Sequence, residues 1–177
     1  PEDQVIIHYE EGVEGTVAVS EPADNPGKSN RVLWINGVQA TMAIEKGIRM
    51  NRLQGVLPLL FKNEPETALF MCFGSGITCG MLAQGPFERI DAVEIAEDVL
   101  EAAPLFEADN LGVIEDEAVN FIVDDGRNFL LTTQNRYDVI TFEPMPLALA
   151  GVSTFYTQEY YRLCLEHLTP GGIVSQW

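Results

Sequence analysis

Glycines and carboxylates recur where apolar, β-rich runs stop, and that placement is the chemical signal of this chain. Residues 68–73 form an apolar run that leads into Cys72-Phe73-Gly74-Ser75-Gly76-Ile77-Thr78. Glycines after a strand let the backbone approach a bound molecule, and a helix that begins there presents unpaired N–H groups. The next β-rich run, 89–95, contains Ala92-Val93-Glu94, and Glu94 falls 20 residues after Gly74. That spacing suits an acid that accepts hydrogen bonds from ribose hydroxyls. A third run closes on Val123-Asp124-Asp125-Gly126, where a carboxylate can accept from an adenine amino group. Each acid taken alone is equally well read as a solvated strand end or a helix N-cap. Their succession at consecutive strand ends points to a nucleoside site. The loop reads C-x-G-x-G, with Thr78 and Cys79 where a dinucleotide fingerprint seeks its third glycine. A sulfonium nucleoside such as S-adenosylmethionine, which carries no diphosphate, therefore fits better than NAD.

The elements that must position these groups follow from the same pattern. From residue 66 onward strand and helix alternate: strands over 68–73, 89–95, 119–123, 137–142 and 173–177, helices over 75–84, 97–109, 127–133 and from the N-cap Thr157 to His167. Pro104 should bend or end the second of these helices. This alternation predicts an α/β domain, a Rossmann-like fold of the S-adenosylmethionine-dependent methyltransferase type, with a mostly parallel sheet and helices on both faces. Open sheets of this kind bind ligands at the carboxyl ends of their strands. Residues 4–9, 15–20 and 31–35 are short β-rich runs separated by turn-rich segments, and Asn36-Gly37 is a further turn signal. We expect a small antiparallel β region over 1–40, a helical connector over 41–65 and the nucleoside-binding domain over 66–177.

Composition narrows the partners. The chain has 177 residues, 46% of them apolar, with 27 acids against 10 bases for a formal charge of −17. Residues 91–125 hold twelve acids and no Lys or Arg. A nucleic-acid binder needs phosphate-neutralising cations, so nucleic acid is not an expected partner. A cationic substrate suits the field, as does a merely solvated surface. Cys72, Cys79 and Cys164 match no zinc spacing and are too few for a disulfide scaffold. They read as buried apolar groups in a reducing, cytoplasmic setting, with no metal. No apolar run approaches the ~20 residues of a membrane helix. The chain opens at Pro1 rather than Met, which leads us to expect a piece of something longer.

The residues from 69 to 177 resemble the polyamine aminopropyltransferases, the spermidine synthase family. The resemblance is carried by Phe73-Gly74-Ser75-Gly76-Ile77-Thr78, Val93-Glu94-Ile95, Asp125-Gly126-Arg127-Asn128-Phe129-Leu130, Tyr137-Asp138-Val139-Ile140, Glu143-Pro144, Ala150-Gly151-Val152, Phe155-Tyr156 and Pro170-Gly171-Gly172 with Gln176-Trp177. Glu11-Gly12, residues 16–19 and Ile35-Asn36-Gly37 resemble the family's small N-terminal β domain. The chain also resembles the bacterial branch often fused to membrane transporter-like segments. The resemblance implies transfer of an aminopropyl group from decarboxylated S-adenosylmethionine to an amine, a homodimer, and membrane segments outside this chain. It implies a co-substrate pocket of Cys72, Phe73, Gly74, Ser75, Gly76, Thr78, Glu94, Ile95, Asp125, Gly126 and Glu143. Glu94 would bind ribose, Asp125 the adenine amino group, and Glu143 would stand where the family's catalytic Asp stands. Burial after an apolar strand would raise Glu143 toward a useful base.

Three departures fall on the amine half. Ser75 occupies the position of the Asp that grips the aminopropyl amine. Glu143-Pro144-Met145-Pro146 replaces a D-x-x-D segment, and Met50-Asn51-Arg52 a Tyr-His-Glu segment. Altered amine specificity, a methyltransferase using intact S-adenosylmethionine, and a catalytically silent nucleoside-binding module all stay open. The family's sheet also continues with a hairpin past the fifth strand, so we expect a sheet truncated at, or lacking, that edge.

Overall fold

The computed structural model describes residues 3–27, 30–143, 146–147 and 151–176. Pro144, Met145, Ala150 and Trp177, on which parts of the motif reading fall, lie outside them.

Five strands, β5 (Thr67–Met71), β6 (Arg89–Glu94), β7 (Val119–Val123), β8 (Tyr137–Phe142) and β9 (Leu168–Gln176), form one parallel sheet in the order β7-β6-β5-β8-β9. Burial on both faces explains their near-continuous apolar runs. Alternate residues serve opposite faces. Ala68, Phe70, Ile90, Ala92 and Val139 join a core with α2 (Ile77–Leu82) and α3 (Glu97–Ala102). Leu69, Met71, Val93, Ile140 and Phe142 join a second core with α5 (Gly126–Thr132) and α6 (Gln158–Glu166). The expected fold class is therefore the observed one. The expected break at Pro104 is a 3-10 turn, Ala103–Phe106, between α3 and α4 (Glu107–Asn110). Thr157 caps α6 by accepting from the Tyr160 N–H. No described helix is long and apolar enough to cross a membrane.

The first region is a four-stranded antiparallel sheet, β1 (Gln4–Gly12), β2 (Gly15–Pro22), β3 (Val32–Ile35) and β4 (Val38–Met42). Its Val17, Val19 and Leu33 enter the same core as Phe70 and Ile77. Here the structure corrects the reading of residues 41–44. Asn36 and Gly37 take φ of 52° and 72°, the left-handed pair of a tight hairpin. The chain returns against β3, so Thr41 and Met42 close a fourth strand, and the helix α1 (Glu45–Phe61) starts later. Two further boundaries differ. The helix expected over 75–84 contracts to α2, because Gly74 and Gly76 sit at φ 57° and 79°. The last strand starts earlier than residue 173, because Leu168 already pairs with Tyr137, while Ile173 pairs with Val139.

Close helix packing rests on Gly80. A Cβ there would lie 1.8 Å from the Asn110 carbonyl oxygen. Gly80→Ala is expected to destabilise the fold by about 3 kcal/mol or more, read as a lower urea midpoint. An unchanged midpoint would mean that α2 and α4 do not pack this closely.

Candidate functional site

The chain leaves β5 to build β6 and β7 on one side, then returns to build β8 and β9 on the other. The switch of direction lies beside β5, and at its carboxyl end the strand tips leave a crevice suited to ligands. Residues 72–78 follow β5 at this point, and Glu143 follows β8. The Glu143 N–H donates to the Met71 carbonyl at 3.2 Å, joining the two tips.

The glycine loop is a set of backbone reversals. Cys72 takes φ 64° and donates its N–H to the Val93 carbonyl. Gly76, at φ 79°, is the N-cap of α2, and its N–H donates to the Phe73 carbonyl at 3.0 Å. Phe73 does not face outward. It is buried and stacks edge-to-face on Phe70 and Phe121, with ring centroids 6.3 and 5.4 Å away. Only its backbone is left for a ligand. Ser75 is 2% exposed. Its carbonyl accepts from Asn110 Nδ2, and its buried Oγ has no hydrogen-bond partner among the described residues.

Glu94 holds this loop to the end of β6. Its Oε1 accepts from the N–H groups of Ile95 at 2.9 Å and Ala96 at 3.2 Å. Its Oε2 accepts from the Gly74 N–H at 3.4 Å. Burial raises the pKa of the carboxyl, and these N–H groups pull it back down. The 20-residue spacing thus has a local reason as well: it brings an acceptor to the Gly74 N–H of the loop. A carboxylate has about four lone-pair directions, and the N–H groups of Gly74, Ile95 and Ala96 take three of them, which leaves about one for a ligand. Ile95, next to it, is 45% exposed.

Asp125 is the N-cap of α5, its Oδ1 accepting from the Asn128 N–H at 2.8 Å. The helix-cap reading of this acid is therefore realised, and the residue stays exposed at the strand end. Gly126 lets α5 sit on β5, since a Cβ there would lie 3.1 Å from Met71 Sδ. Cys72 shows how the strand ends converge. Its thiol is pushed far up, first by burial and then by the charges of Glu94, Glu143 and Asp125. Three carboxylates from three strand ends surround one side chain, which stays a neutral thiol.

Glu143 and Thr78 form the tightest contact of the site. Glu143 is half-buried, and burial pushes its carboxyl up to about 7, against the pull of the Thr78 hydroxyl. Thr78 Oγ1 lies 2.5 Å from Glu143 Oε1 and 3.1 Å from the Asn51 carbonyl oxygen. Thr78 is 1% exposed, so its hydroxyl serves Glu143 rather than a ligand directly. A carboxyl that titrates near neutrality can take a proton from an amine at physiological pH.

Two contributors come from α1, one of them not foreseen and the other within the stretch 50–52 already singled out. Gln54, 4% exposed on α1, donates through Nε2 to the Phe142 carbonyl at 3.3 Å and so supports the peptide that carries Glu143. The Asn51 carbonyl is the other. A glutamine beside Gly55, three residues after Asn51 and so on the same helical face, was the available signal. Met50 and Arg52 turn instead toward an open groove of about 810 Å³ along α1, which none of the strand-end residues lines.

The chain matches the model of the spermine/spermidine synthase domain over residues 9–176. Polyamine aminopropyltransferase 1 of Pseudomonas aeruginosa is 29% identical over 152 residues, covering 83% of this chain and 51% of the relative. A polyamine aminopropyltransferase of Clostridium botulinum is 34% identical over 119 residues, covering 67% and 42%. The chain thus spans about half the length of these curated relatives. Spermidine synthase from Thermotoga maritima superposes with a TM-score of 0.79 at 20% identity, covering 97% of this chain and 56% of that one. A spermidine synthase in complex with the transition-state analogue AdoDATO gives 0.79 at 19% identity, covering 93% and 55%.

Proposed function

Because the chain belongs to the spermine/spermidine synthase domain family, we propose that it binds decarboxylated S-adenosylmethionine at the β5–β6–β8 strand ends and transfers its aminopropyl group to an amine. The observation that carries this reading is the Glu143 carboxyl, pushed to about 7 by burial at the tip of β8 and joined by a backbone hydrogen bond to the end of β5, which leads into the glycine loop. In the reaction the amine nitrogen attacks the carbon beside the sulfonium. The C–N bond forms as the C–S bond breaks, the sulfur keeps the electron pair, and methylthioadenosine leaves. The proton shed by the amine passes to the Glu143 carboxylate, which requires that group to be ionised beforehand.

Glu94 would accept from the ribose hydroxyls, Asp125 from the adenine amino group, and the exposed Ile95 would offer an apolar face to the base. The backbone of 72–76, with Gly126, would complete the cradle. The acidic balance of the chain favours a cationic acceptor. A homodimer has support in β1, an edge strand that exposes Val5, Ile6, Ile7 and Tyr9. The branch with membrane segments beyond this region is retained as part of the same proposal.

A second reading, a methyltransferase that uses intact S-adenosylmethionine, is favoured by Ser75. Its buried hydroxyl is neutral where a cationic aminopropyl amine would call for a carboxylate. Calorimetry with methylthioadenosine, decarboxylated and intact S-adenosylmethionine separates the two. Tighter binding of the decarboxylated form is expected. A preference for the intact form would favour the methyltransferase. No binding of any of the three at millimolar concentration would reject the nucleoside site.

A further inference from the structure

We propose that Thr78 is the positioning residue of Glu143: its single hydroxyl proton points to the Glu143 carboxylate before the amine is deprotonated and turns to the Asn51 carbonyl afterward. This inference rests on the reading of Glu143 as the base.

A threonine hydroxyl has one proton and two lone pairs. Thr78 Oγ1 nevertheless lies within hydrogen-bond distance of two acceptors, Glu143 Oε1 at 2.5 Å and the Asn51 carbonyl at 3.1 Å. It cannot donate to both at once. With Glu143 ionised, the charged acceptor wins, because a hydrogen bond to an ionised group is about twice as strong as a neutral one. When Glu143 takes a proton, the new O–H donates to Thr78 Oγ1, and the threonine proton rotates onto the Asn51 carbonyl. Every donor is matched in both states, and no proton travels beyond Glu143. The cost of leaving a buried hydroxyl or acid proton unpaired is avoided on each side.

Packing builds this geometry deliberately. Asn51 lies on α1 and Thr78 on α2. A Cβ on Gly55 would meet the Thr78 carbonyl oxygen at 2.7 Å and Met81 Cβ at 2.9 Å. Glycine at 55 thus lets α1 come close enough for its Asn51 carbonyl to reach the Thr78 side chain. Gln54 on the same helix holds the Phe142 carbonyl, fixing the other partner. Among the described residues, the thiols of Cys72 on the β5 tip and Cys79 on α2 are acted on by the Glu143 charge. Burial pushes both up, so they stay neutral. The α1 side chains and carbonyls hydrogen-bonded here, those of Asn51 and Gln54, belong to uncharged residues. Glu94 and Asp125 act on Cys72.

The test is a titration that does not depend on turnover. Carbon-13 NMR of the ligand-free chain would follow the Glu143 carboxyl, assigned by its loss in Glu143→Gln, together with the Asn51 carbonyl. In the wild type both resonances are expected to move with one midpoint. In Thr78→Val, which keeps the shape and removes the hydroxyl, the Glu143 midpoint should rise by about one pH unit, and the Asn51 response should vanish. Thr78→Ser should restore both. An Asn51 carbonyl that stays flat across the Glu143 titration in the wild type would overturn the proposal without any variant. So would equal midpoints in wild type and Thr78→Val. If Glu143→Gln keeps full transfer activity while the titrations behave as expected, the base reading fails and the hydroxyl exchange stands. If Glu143→Gln is inactive and the titrations fail, the reverse holds.

Discussion

Glu143→Gln is expected to lower aminopropyl transfer by about 10²–10⁴-fold, the range a positioned general base contributes, while leaving methylthioadenosine binding essentially unchanged. Glutamine keeps the size of the side chain and can still accept from Thr78 Oγ1, so the geometry is preserved and only the proton acceptor is lost. The same variant should gain stability at alkaline pH. An ordinary glutamate ionises near 4.5, whereas burial holds Glu143 to about 7. Between those values the folded chain keeps a proton that the unfolded chain has released, so stability falls as pH rises through the window. The stabilisation is fully present below the lower value and lost above the upper one, on the order of 2–3 kcal/mol in all. Glu143→Gln does not titrate, so its Tm at pH 8 should exceed the wild-type Tm by several degrees, with the gap closing toward pH 4.5. Activity in the wild type should run the other way, rising with pH through about 7 as the base ionises. Wild-type turnover in Glu143→Gln would remove it as the base. A Tm difference that ignores pH would mean that the carboxyl is not held in its acid form.

Glu94→Ala is expected to weaken methylthioadenosine binding by about 100-fold or more, because two losses act together. The ribose loses a charged acceptor, worth about 1.5–3 kcal/mol. The N–H groups of Gly74, Ile95 and Ala96 lose their shared partner, so the loop that should cradle the nucleoside is no longer held. Glu94→Gln retains one carbonyl acceptor and should fall between the two. Calorimetry measures the affinity, and amide exchange at Gly74 and Ala96 measures the loop. Faster exchange with unchanged affinity would make Glu94 a structural clamp alone. Slow exchange with lost affinity would make it a ligand contact alone.

Much of this was legible in the chain itself. Strand–helix alternation after residue 66, with apolar runs too continuous for a solvated face, specifies a parallel sheet buried on both sides. Because loops at the carboxyl ends of such a sheet converge, the acids at 94 and 125 could be assigned to one crevice before any contact was known, and the family resemblance added the acid at 143. The hairpin at Asn36-Gly37 was legible as a turn but not as the start of β4. Val38, Ala40 and Met42 alternate with the polar Gln39 and Thr41, but five residues are too short a run to fix the boundary with the helix that follows, and pairing with β3 decided it.

The short helix α2 shows the same limit. Ser75 and Gly76 are weak helix formers, and Gly76 takes a left-handed φ of 79° as the N-cap, so the helix begins only at Ile77. Sequence by itself determined which chemical groups stand at which strand ends, because strand order and side-chain type follow from local pattern. Only the tertiary structure decided what each group does to its neighbours. It turned Phe73 into the core, gave Asp125 a helix to cap, and set Thr78 between Glu143 and Asn51. Those outcomes depend on approach distances between elements 27 and 65 residues apart in the chain, and no local pattern encodes a distance of 2.5 Å.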